Sequence, residues 1–299
     1  MKKLLIVLLN LLIFFLFILH PKPIISQVDS LQFISSFGNF QNAASISTSR
    51  GEFIFVTDEQ SNKIYKYTKT GGLLASFGGT GFGPDQLSNP IGIDASNGLD
   101  VYVCDYQNNR IQRYDINLLY IATFDFSTYN QAADNSKKIY YPKSLAFLNS
   151  GEIFVLADAT TYKVVKLKGF DEVNNLFGTN TIGFENLTNP SKIVKGSSLD
   201  IWILNKETDE ILNYDNYGTY VKRLKNPENK PIISITSYDN ILYILNEKDL
   251  LSYDLKSGKY SAYLFYSLPG TEKAVNISVL DKDTVLVLTK SKIYIYKLK

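Results

Sequence analysis

The sequence contains a single histidine, which limits the chemistry that the protein can carry out. This residue, His20, lies in or beside an N-terminal apolar leader, so we expect the mature chain to contain no histidine. Such a chain has no Ser-His-Asp triad, no Cys-His pair and no histidine-bound zinc. The scarcity of histidine therefore excludes these nucleophilic and zinc-dependent active sites, and we assign no catalytic residue.

Cysteine is equally scarce. Cys104 is the only one, so no disulfide can form within the chain. It ends a short apolar strand, where a thiol behaves as a small hydrophobic group. We expect Cys104 to fill space in the core, with a reactive thiol as the less favoured alternative.

An apolar run at the N-terminus, from Leu4 to Leu19, follows Lys2 and Lys3. This layout is typical of a secretory signal peptide, which we predict to span residues 1–27. A retained membrane anchor is the alternative, although the run of 16 residues is shorter than the roughly 20 that a spanning helix needs. No cysteine lies near the cleavage region, which argues against a lipid-anchored lipoprotein. We therefore expect an exported protein that is periplasmic, secreted or at the cell surface.

Neither sign of charge is in large excess, since the formal net charge is +2. Loss of the three leader lysines leaves 28 basic and 29 acidic residues, a net charge of −1. Nucleic-acid-binding proteins normally present a basic surface. The charge and the predicted export both argue against a nucleic-acid partner.

No long helical apolar stripe follows residue 30, whereas short apolar strands recur at a regular spacing. Six candidate second strands carry a marker residue at steps of 47, 52, 48, 41 and 43 residues: Phe55, Tyr102, Phe154, Trp202, Tyr243 and Leu286. Six candidate third strands carry another at steps of 47, 53, 47, 39 and 43 residues: Tyr67, Tyr114, Leu167, Tyr214, Tyr253 and Tyr296. A period of about 40–50 residues with four short strands per repeat is typical of a β-propeller.

The pattern predicts an all-β fold, a six-bladed β-propeller with four-stranded antiparallel blades. The sixth repeat has no candidate fourth strand. Leu31–Phe37 resembles the fourth strand of the first repeat, Leu73–Gly78. We therefore expect residues 31–37 to complete the last blade, which would protect two strand edges. A single domain would then occupy residues 28–299.

The second repeat resembles the NHL repeat. The resemblance is carried by Asn89–Asp94, by Val101–Asp105 and by Asn108–Asp115, the last reading NNRIQRYD. The first repeat matches in part, and later repeats keep the strands but few signature letters. The resemblance implies a six-bladed propeller that is usually a binding or scaffolding platform and only sometimes an enzyme. The lack of histidine counts against the similar propeller lyases that use histidine-bound metal.

Polar residues recur at the ends of the second strands. They are Asp58, Asp105, Asn205 and Asn246. Their oxygens could bind a metal ion around a central channel, with Asp94 as a weaker candidate. Alternatively, each could cap the adjacent turn by accepting backbone N–H bonds. The recurrence of similar residues at the same position in several repeats favours turn caps, because a single metal site would need a different residue from each blade. We predict no metal and no cofactor.

Connections between repeats supply the candidate binding residues. The glycine-rich stretch Gly78–Gly83 precedes a strand and not a helix, so it is predicted to be a connection and not a phosphate site. Longer connections span Asp125–Tyr141 and Thr179–Asn189, and loops on a rigid scaffold commonly carry binding residues. An ordinary solvated loop is the alternative for the first of them. The predicted contact patch comprises Tyr106, Arg110, Tyr129, Lys137, Lys138, Tyr140, Tyr141 and Tyr162.

Three functions remain open. The leading one is a monomeric, non-enzymatic propeller that binds a protein, peptide or glycan on its loop face. The alternative is a metal-dependent lactonase or esterase, which would need Glu, Asp and Asn oxygens converging at the channel mouth, with calcium as its ion. A purely structural surface component is the third. Sequons at Asn186 and Asn276 matter only in a host that glycosylates them.

Overall fold

Strands account for nearly all of the regular structure, in keeping with a sequence rich in tyrosine, phenylalanine and β-branched residues. The structure is a computed structural model that describes residues 25–158, 162–179, 187–247, 249–264, 268 and 272–299. These residues form 24 strands, a short α-helix and a 3₁₀ turn. The predicted signal peptide lies almost wholly outside the described residues. None of the helices described is long and apolar enough to cross a membrane.

Four of the sheets are antiparallel, and each contains four strands that follow one another along the chain. Their strands are β2 (Ala43–Ser49), β3 (Phe53–Asp58), β4 (Lys63–Thr68) and β5 (Leu73–Gly78); β6 (Pro90–Asp94), β7 (Asp100–Asp105), β8 (Arg110–Asp115) and β9 (Tyr120–Asp125); β10 (Pro142–Phe147), β11 (Glu152–Ala157), β12 (Tyr162–Lys168) and β13 (Glu172–Thr179); and β14 (Pro190–Lys195), β15 (Ile201–Asn205), β16 (Glu210–Tyr214) and β17 (Tyr220–Lys225).

The remaining strands form one eight-stranded sheet in the order β18-β19-β20-β21-β1-β24-β23-β22. They are β1 (Ile25–Phe37), β18 (Ser234–Tyr238), β19 (Ile241–Leu245), β20 (Asp249–Asp254), β21 (Tyr260–Leu264), β22 (Ala274–Asp281), β23 (Thr284–Thr289) and β24 (Ile293–Leu298). Residues Leu31–Phe37 of β1 pair antiparallel to β24, and Ile25–Ser30 run parallel to β21.

The predicted six-bladed propeller with only four-stranded blades is therefore wrong. The structure contains four four-stranded sheets and one nearly closed eight-stranded sheet in a propeller-like all-β fold. The error lies in β1, which begins six residues before Leu31, in a segment that the sequence pattern assigns to the leader and its junction. Those extra residues continue the hydrogen bonding onto β21 and merge two groups of strands into one sheet.

The inner strands β2, β6, β10, β14, β18 and β22 contact one another in sequence order, and β22 contacts β2, so they enclose a channel. The apolar core lies between neighbouring groups of strands and not in the channel. Both columns of marker residues are part of it: Phe55, Phe154 and Trp202 are at most 1% exposed, and Tyr114 and Tyr214 are similarly buried. The recurring aromatic positions are thus packing positions.

The connection between β9 and β10 is more ordered than a solvated loop. It contains the helix α1 (Phe126–Ala132), whose first turn is capped by the Asp125 carboxylate, and a 3₁₀ turn (Asn135–Lys137). The side chain of Asn130 exchanges two hydrogen bonds with the backbone of Ile139, at 2.6 and 2.8 Å. Phe126 and Ile139 are 0% exposed and belong to an apolar core cluster with residues of β7 to β12, so the connection is packed against the sheets.

Candidate functional site

A polar ring lines the channel near the start of the inner strands. In five of these strands the register shifts between the first and third residue, as in a β-bulge. Bulges re-aim the side chains that follow them. The third residue of each of these five strands, with Ser234 at the start of β18, occupies the equivalent position. We call these six residues the polar ring: Ser45, Gly92, Ser144, Lys192, Ser234 and Asn276.

The polar ring separates two cavities of the channel. The first, of about 320 Å³, lies at the start of the inner strands. The second, of about 380 Å³, lies towards their ends and is lined by residues such as Asp94, Lys195 and Asp239. Lys192 lines both cavities and so stands at the junction between them. The first cavity also contains Lys143 and Lys206, and no carboxylate occurs among its described lining residues.

The ammonium of Lys192 is the central charge of the channel. Burial lowers its pKa from 10.5 to about 8, although the nearby Asp94 carboxylate and Cys104 thiol oppose the shift. The lysine side chain remains partly accessible, but only to the channel that it lines. Its Nζ donates to Ser45 Oγ at 3.3 Å, across the ring from β14 to β2. An ammonium has three N–H donors, and this is its only hydrogen bond to the described residues.

Ser45 is the meeting point of the ring's hydrogen bonds. Its Oγ also accepts from Asn276 Nδ2 at 3.3 Å, and Asn276 Oδ1 accepts from Ser234 Oγ at 3.2 Å. With two donors directed at its oxygen, the Ser45 hydroxyl has its own proton left to donate. Asn276, in one of the two sequons, is 6% exposed. Its amide is therefore occupied inside the folded ring, where an attached glycan would not fit.

The other two lysines of the first cavity have protein partners. Lys143 forms an ion pair with Asp158, and Lys206 donates to the carbonyl of Ile232. Burial lowers the pKa of Lys206, opposed by the nearby Asp209 carboxylate. Three lysines therefore line the cavity, and Lys192 is the one whose partner among the described residues is a hydroxyl and not a carboxylate or a carbonyl.

An aromatic rim lies beside this cavity, at the ion pair of Lys143. The Asp158 carboxylate also accepts from the Tyr106 hydroxyl at 3.1 Å, and burial raises the pKa of Tyr106. The Tyr106 ring stacks on that of Tyr141, with centroids 5.1 Å apart. Tyr141 is 44% exposed and has a φ of +54°, a left-handed conformation that side chains rarely adopt. The centroid of the Tyr140 ring lies 6.3 Å from that of Tyr141. We call Tyr106, Tyr140, Tyr141 and Asp158 the aromatic rim.

Arg110 faces inward and holds the glycine-rich connection in place. Its guanidinium pairs with the Asp105 carboxylate at 2.7 Å and donates to the carbonyls of Phe82, Gly83 and Gln86. Both charged side chains are buried. Burial raises the pKa of Asp105, while the Ser88 N–H and Arg110 itself oppose that shift. The glycine-rich stretch therefore wraps the end of β8, and little of Arg110 is left for a ligand.

The other members of the predicted patch are dispersed. Tyr129 lies in α1 against the apolar core, and burial raises its pKa. Lys137 is exposed and lies 4.0 Å from Asp134, while Lys138 is half-buried. The side chain of Tyr162, at the start of β12, lies outside the described residues, as do residues 180–186 of the second long connection.

Each polar residue at a second-strand end contacts the segment that leads into the inner strand of its own sheet. Asp58 accepts four backbone N–H bonds, from Gln41, Asn42, Gln60 and Ser61. Asp105 accepts from Ser88 N, Asn205 accepts from Asn189 N, and Asn246 bonds to the side chains of Asn226 and Asp249. Asp94 accepts backbone N–H bonds from Ser96 and Phe147, at 2.7 and 2.8 Å. The oxygens of the four second-strand residues are thus engaged separately, one sheet at a time, whereas Asp94 in β6 also accepts from the backbone of β10 in the next sheet.

The structure brings Tyr106, Tyr140 and Tyr141 together and leaves Arg110 and Tyr129 apart from them. Sequence reasoning missed the polar ring and all three lysines of the first cavity. A signal was present, because Gly92, Ser144 and Lys192 each lie two residues after the proline that begins an inner strand. At this position, two residues after the proline, Lys192 differs from the glycine and serine of the other two repeats, and this difference was the available signal.

Comparison with known families finds the NHL repeat in residues 87–114, which include β6, β7 and most of β8. No curated protein matches the chain. The match therefore covers one repeat and leaves the rest of the chain without a family.

Solved structures share the propeller-type fold at low sequence identity. A streptogramin B lyase has a TM-score of 0.62 at 14% identity, covering 89% of this chain and 97% of its own. An inactive virginiamycin B lyase from Staphylococcus aureus, in complex with quinupristin, has a TM-score of 0.59 at 17% identity over 86% and 80% of the two chains. A gluconolactonase from Xanthomonas campestris has a TM-score of 0.64 at 10% identity over 91% and 95%. These neighbours are enzymes, and their similarity establishes the fold alone.

The donor set of the channel does not suit a divalent metal ion. Among the described residues, no group of three or more His, Cys, Asp or Glu side chains could hold one. Calcium prefers six to eight oxygen ligands, several of them carboxylates. At the polar ring the oxygens are hydroxyls and one amide, and an ammonium lies among them. The charged group at the polar ring is thus an ammonium and not a carboxylate.

Proposed function

We propose that the protein is an exported, non-enzymatic propeller that binds a protein, peptide or glycan at the aromatic rim. The observation that carries this proposal is the stacked pair of Tyr106 and Tyr141, held beside the mouth of the first cavity by Asp158. Tyrosine supplies a large contact area at a low entropic cost and is enriched at binding hot spots. The stacking contact with Tyr106 orients the Tyr141 ring, which remains 44% exposed and available to a ligand.

Binding can be tested with probes of the proposed ligand classes. The purified protein would be applied to a glycan array and to a phage-displayed peptide library, and the ligands obtained would be titrated against variants. We expect Tyr141→Ala to weaken binding at least tenfold, since truncation of a hot-spot residue costs about 2 kcal/mol or more. Tyr217→Ala is the matched control, because Tyr217 is 74% exposed on the turn between β16 and β17. Equal losses in both variants would contradict the proposal.

A metal-dependent hydrolase of the lactonase or esterase kind is the second candidate, favoured by the enzymes among the structural neighbours. It would need a calcium site, which the donors of the polar ring do not suit. A thermal melt in EDTA and then in millimolar calcium chloride separates the two proposals, because a metal bound only by the folded state raises the midpoint. We expect no rise. A calcium-dependent rise, with hydrolysis of a gluconolactone, would favour the hydrolase.

A further inference from the structure

The polar ring leaves hydrogen-bond donors without acceptors among the described residues, on two side chains that contact each other in the channel. Two N–H groups of Lys192 and the hydroxyl proton of Ser45 have no acceptor among the described residues. Buried polar groups are nearly always hydrogen-bonded, to protein, water or a ligand. The described residues of the adjoining cavity contribute two more ammonium groups and no carboxylate. Carboxylates lie nearby, since Asp94 is close to Lys192 on the side of the second cavity and Asp158 pairs with Lys143. The donors without acceptors therefore carry the inference, because they need an acceptor and so favour an anion.

We infer that the polar ring is an oxyanion-binding subsite, in which Lys192 Nζ and Ser45 Oγ donate to a carboxylate or phosphate group of a ligand. The first cavity, of about 320 Å³, admits a small anion or the end of a larger ligand. Lys143 and Lys206 would attract the anion, while their own contacts to Asp158 and Ile232 keep them from closing on it. This subsite lies in the channel and is separate from the aromatic rim.

The test measures the melting midpoint of the purified protein in sodium acetate and in sodium phosphate, each against sodium chloride of equal ionic strength. An anion that binds only the folded state raises the midpoint by mass action. We expect a rise in the unaltered protein and a loss of at least about tenfold in apparent affinity in Lys192→Met, as charge-assisted hydrogen bonds contribute about 1.5–3 kcal/mol. Lys168→Met is the matched control, because Lys168 is exposed at the end of β12 and lines neither cavity, and it should keep the response.

Specific binding is read from the difference between the variants, because phosphate also stabilises proteins by exclusion from their surface. A response to acetate alone supports a carboxylate ligand, and a response to phosphate alone supports a phosphate ligand. Equal responses in the unaltered protein and Lys192→Met would overturn the inference and leave water as the occupant of the ring. If Lys192→Met does not fold, Ser45→Ala tests the second donor. A Tyr141→Ala variant should respond as the unaltered protein does, which keeps this test separate from that of the rim.

Discussion

Replacing Lys192 by methionine should change how the stability of the protein depends on pH. The pKa of this lysine falls from 10.5 to about 8 on folding, mainly because the channel removes its ammonium from bulk water. Between these two values the unfolded chain binds more protons than the folded chain. Stability must therefore rise with pH through this window, since deprotonation relieves the buried charge.

The size of the effect follows from the two pKa values. Over the whole window, a shift of roughly 2.5 units corresponds to about 3 kcal/mol. Between pH 7 and pH 9.5, linkage gives a gain of about 2 kcal/mol in the free energy of unfolding. Methionine has a similar length and no titrating group, so Lys192→Met should lack this gain. At pH 7 the variant should be as stable as the unaltered protein or more so, because a buried charge has been removed.

Urea unfolding followed by tryptophan fluorescence can measure this difference. Trp202 is the only tryptophan and is 1% exposed, so its emission reports on the packed core. Burial also lowers the pKa values of Lys66 and Lys206, so these groups contribute to the pH dependence as well. Their contributions cancel when the two proteins are compared at each pH. Parallel curves from pH 7 to pH 9.5 would refute the assignment of a buried ammonium to the channel.

Two further predictions concern the packing around the channel, and both are measured by urea unfolding. Arg110→Ala should lower the free energy of unfolding by about 3 kcal/mol or more, because it leaves a buried carboxylate and three carbonyls without their donor. Arg223→Ala, at a more exposed ion pair, is the control and should lower it by less than about 1 kcal/mol. Similar losses in the two variants would contradict the structural role of Arg110. Gly92→Ala should lower the free energy of unfolding by about 1–3 kcal/mol, since its added Cβ would lie 2.5 Å from a backbone carbonyl oxygen of the next inner strand. Gly72→Ala meets only the side chain of its own turn, and a loss of stability as large as that of Gly92→Ala would show that crowding at the ring is not the cause.

The local sequence pattern predicted most strands, because each of them is marked by its own short apolar run. Ile54 to Thr57 and Val101 to Cys104 are apolar runs of strand length, and the structure places both inside strands. The pairing of β1 was not predictable in the same way. Residues 25–30 find their partner in β21, more than 220 residues away, and no local feature marks a segment that continues from one sheet edge onto another. The grouping of the strands into separate sheets depends on such distant pairings, whereas the periodic spacing of the strands along the sequence does not.

The contact patch was predicted from aromatic and basic residues in turns and connections, and its role in binding stays a prediction. Tyr106 and Tyr141 are aromatic residues in connections, and the structure stacks them together. Arg110 has the same sequence character but points inward, because Asp105 at the end of the paired strand is a nearby buried acceptor. The direction in which a side chain at a turn points depends on hydrogen-bonding and charged partners that can be distant in the sequence. The charge of a residue alone therefore could not distinguish a side chain exposed to a ligand from one that binds partners inside the protein.

The polar ring shows that equivalent positions in different repeats can have different roles. At Gly92 the backbone of the adjacent strand leaves no room even for a Cβ, whereas Lys192 extends across the channel to Ser45. Serine in place of this lysine would match three other members of the ring and avoid the cost of a buried ammonium. A residue that lowers stability without completing its own hydrogen bonds is expected where function requires it. For this reason the search for a ligand should begin with anions in the channel as well as with partners at the aromatic rim.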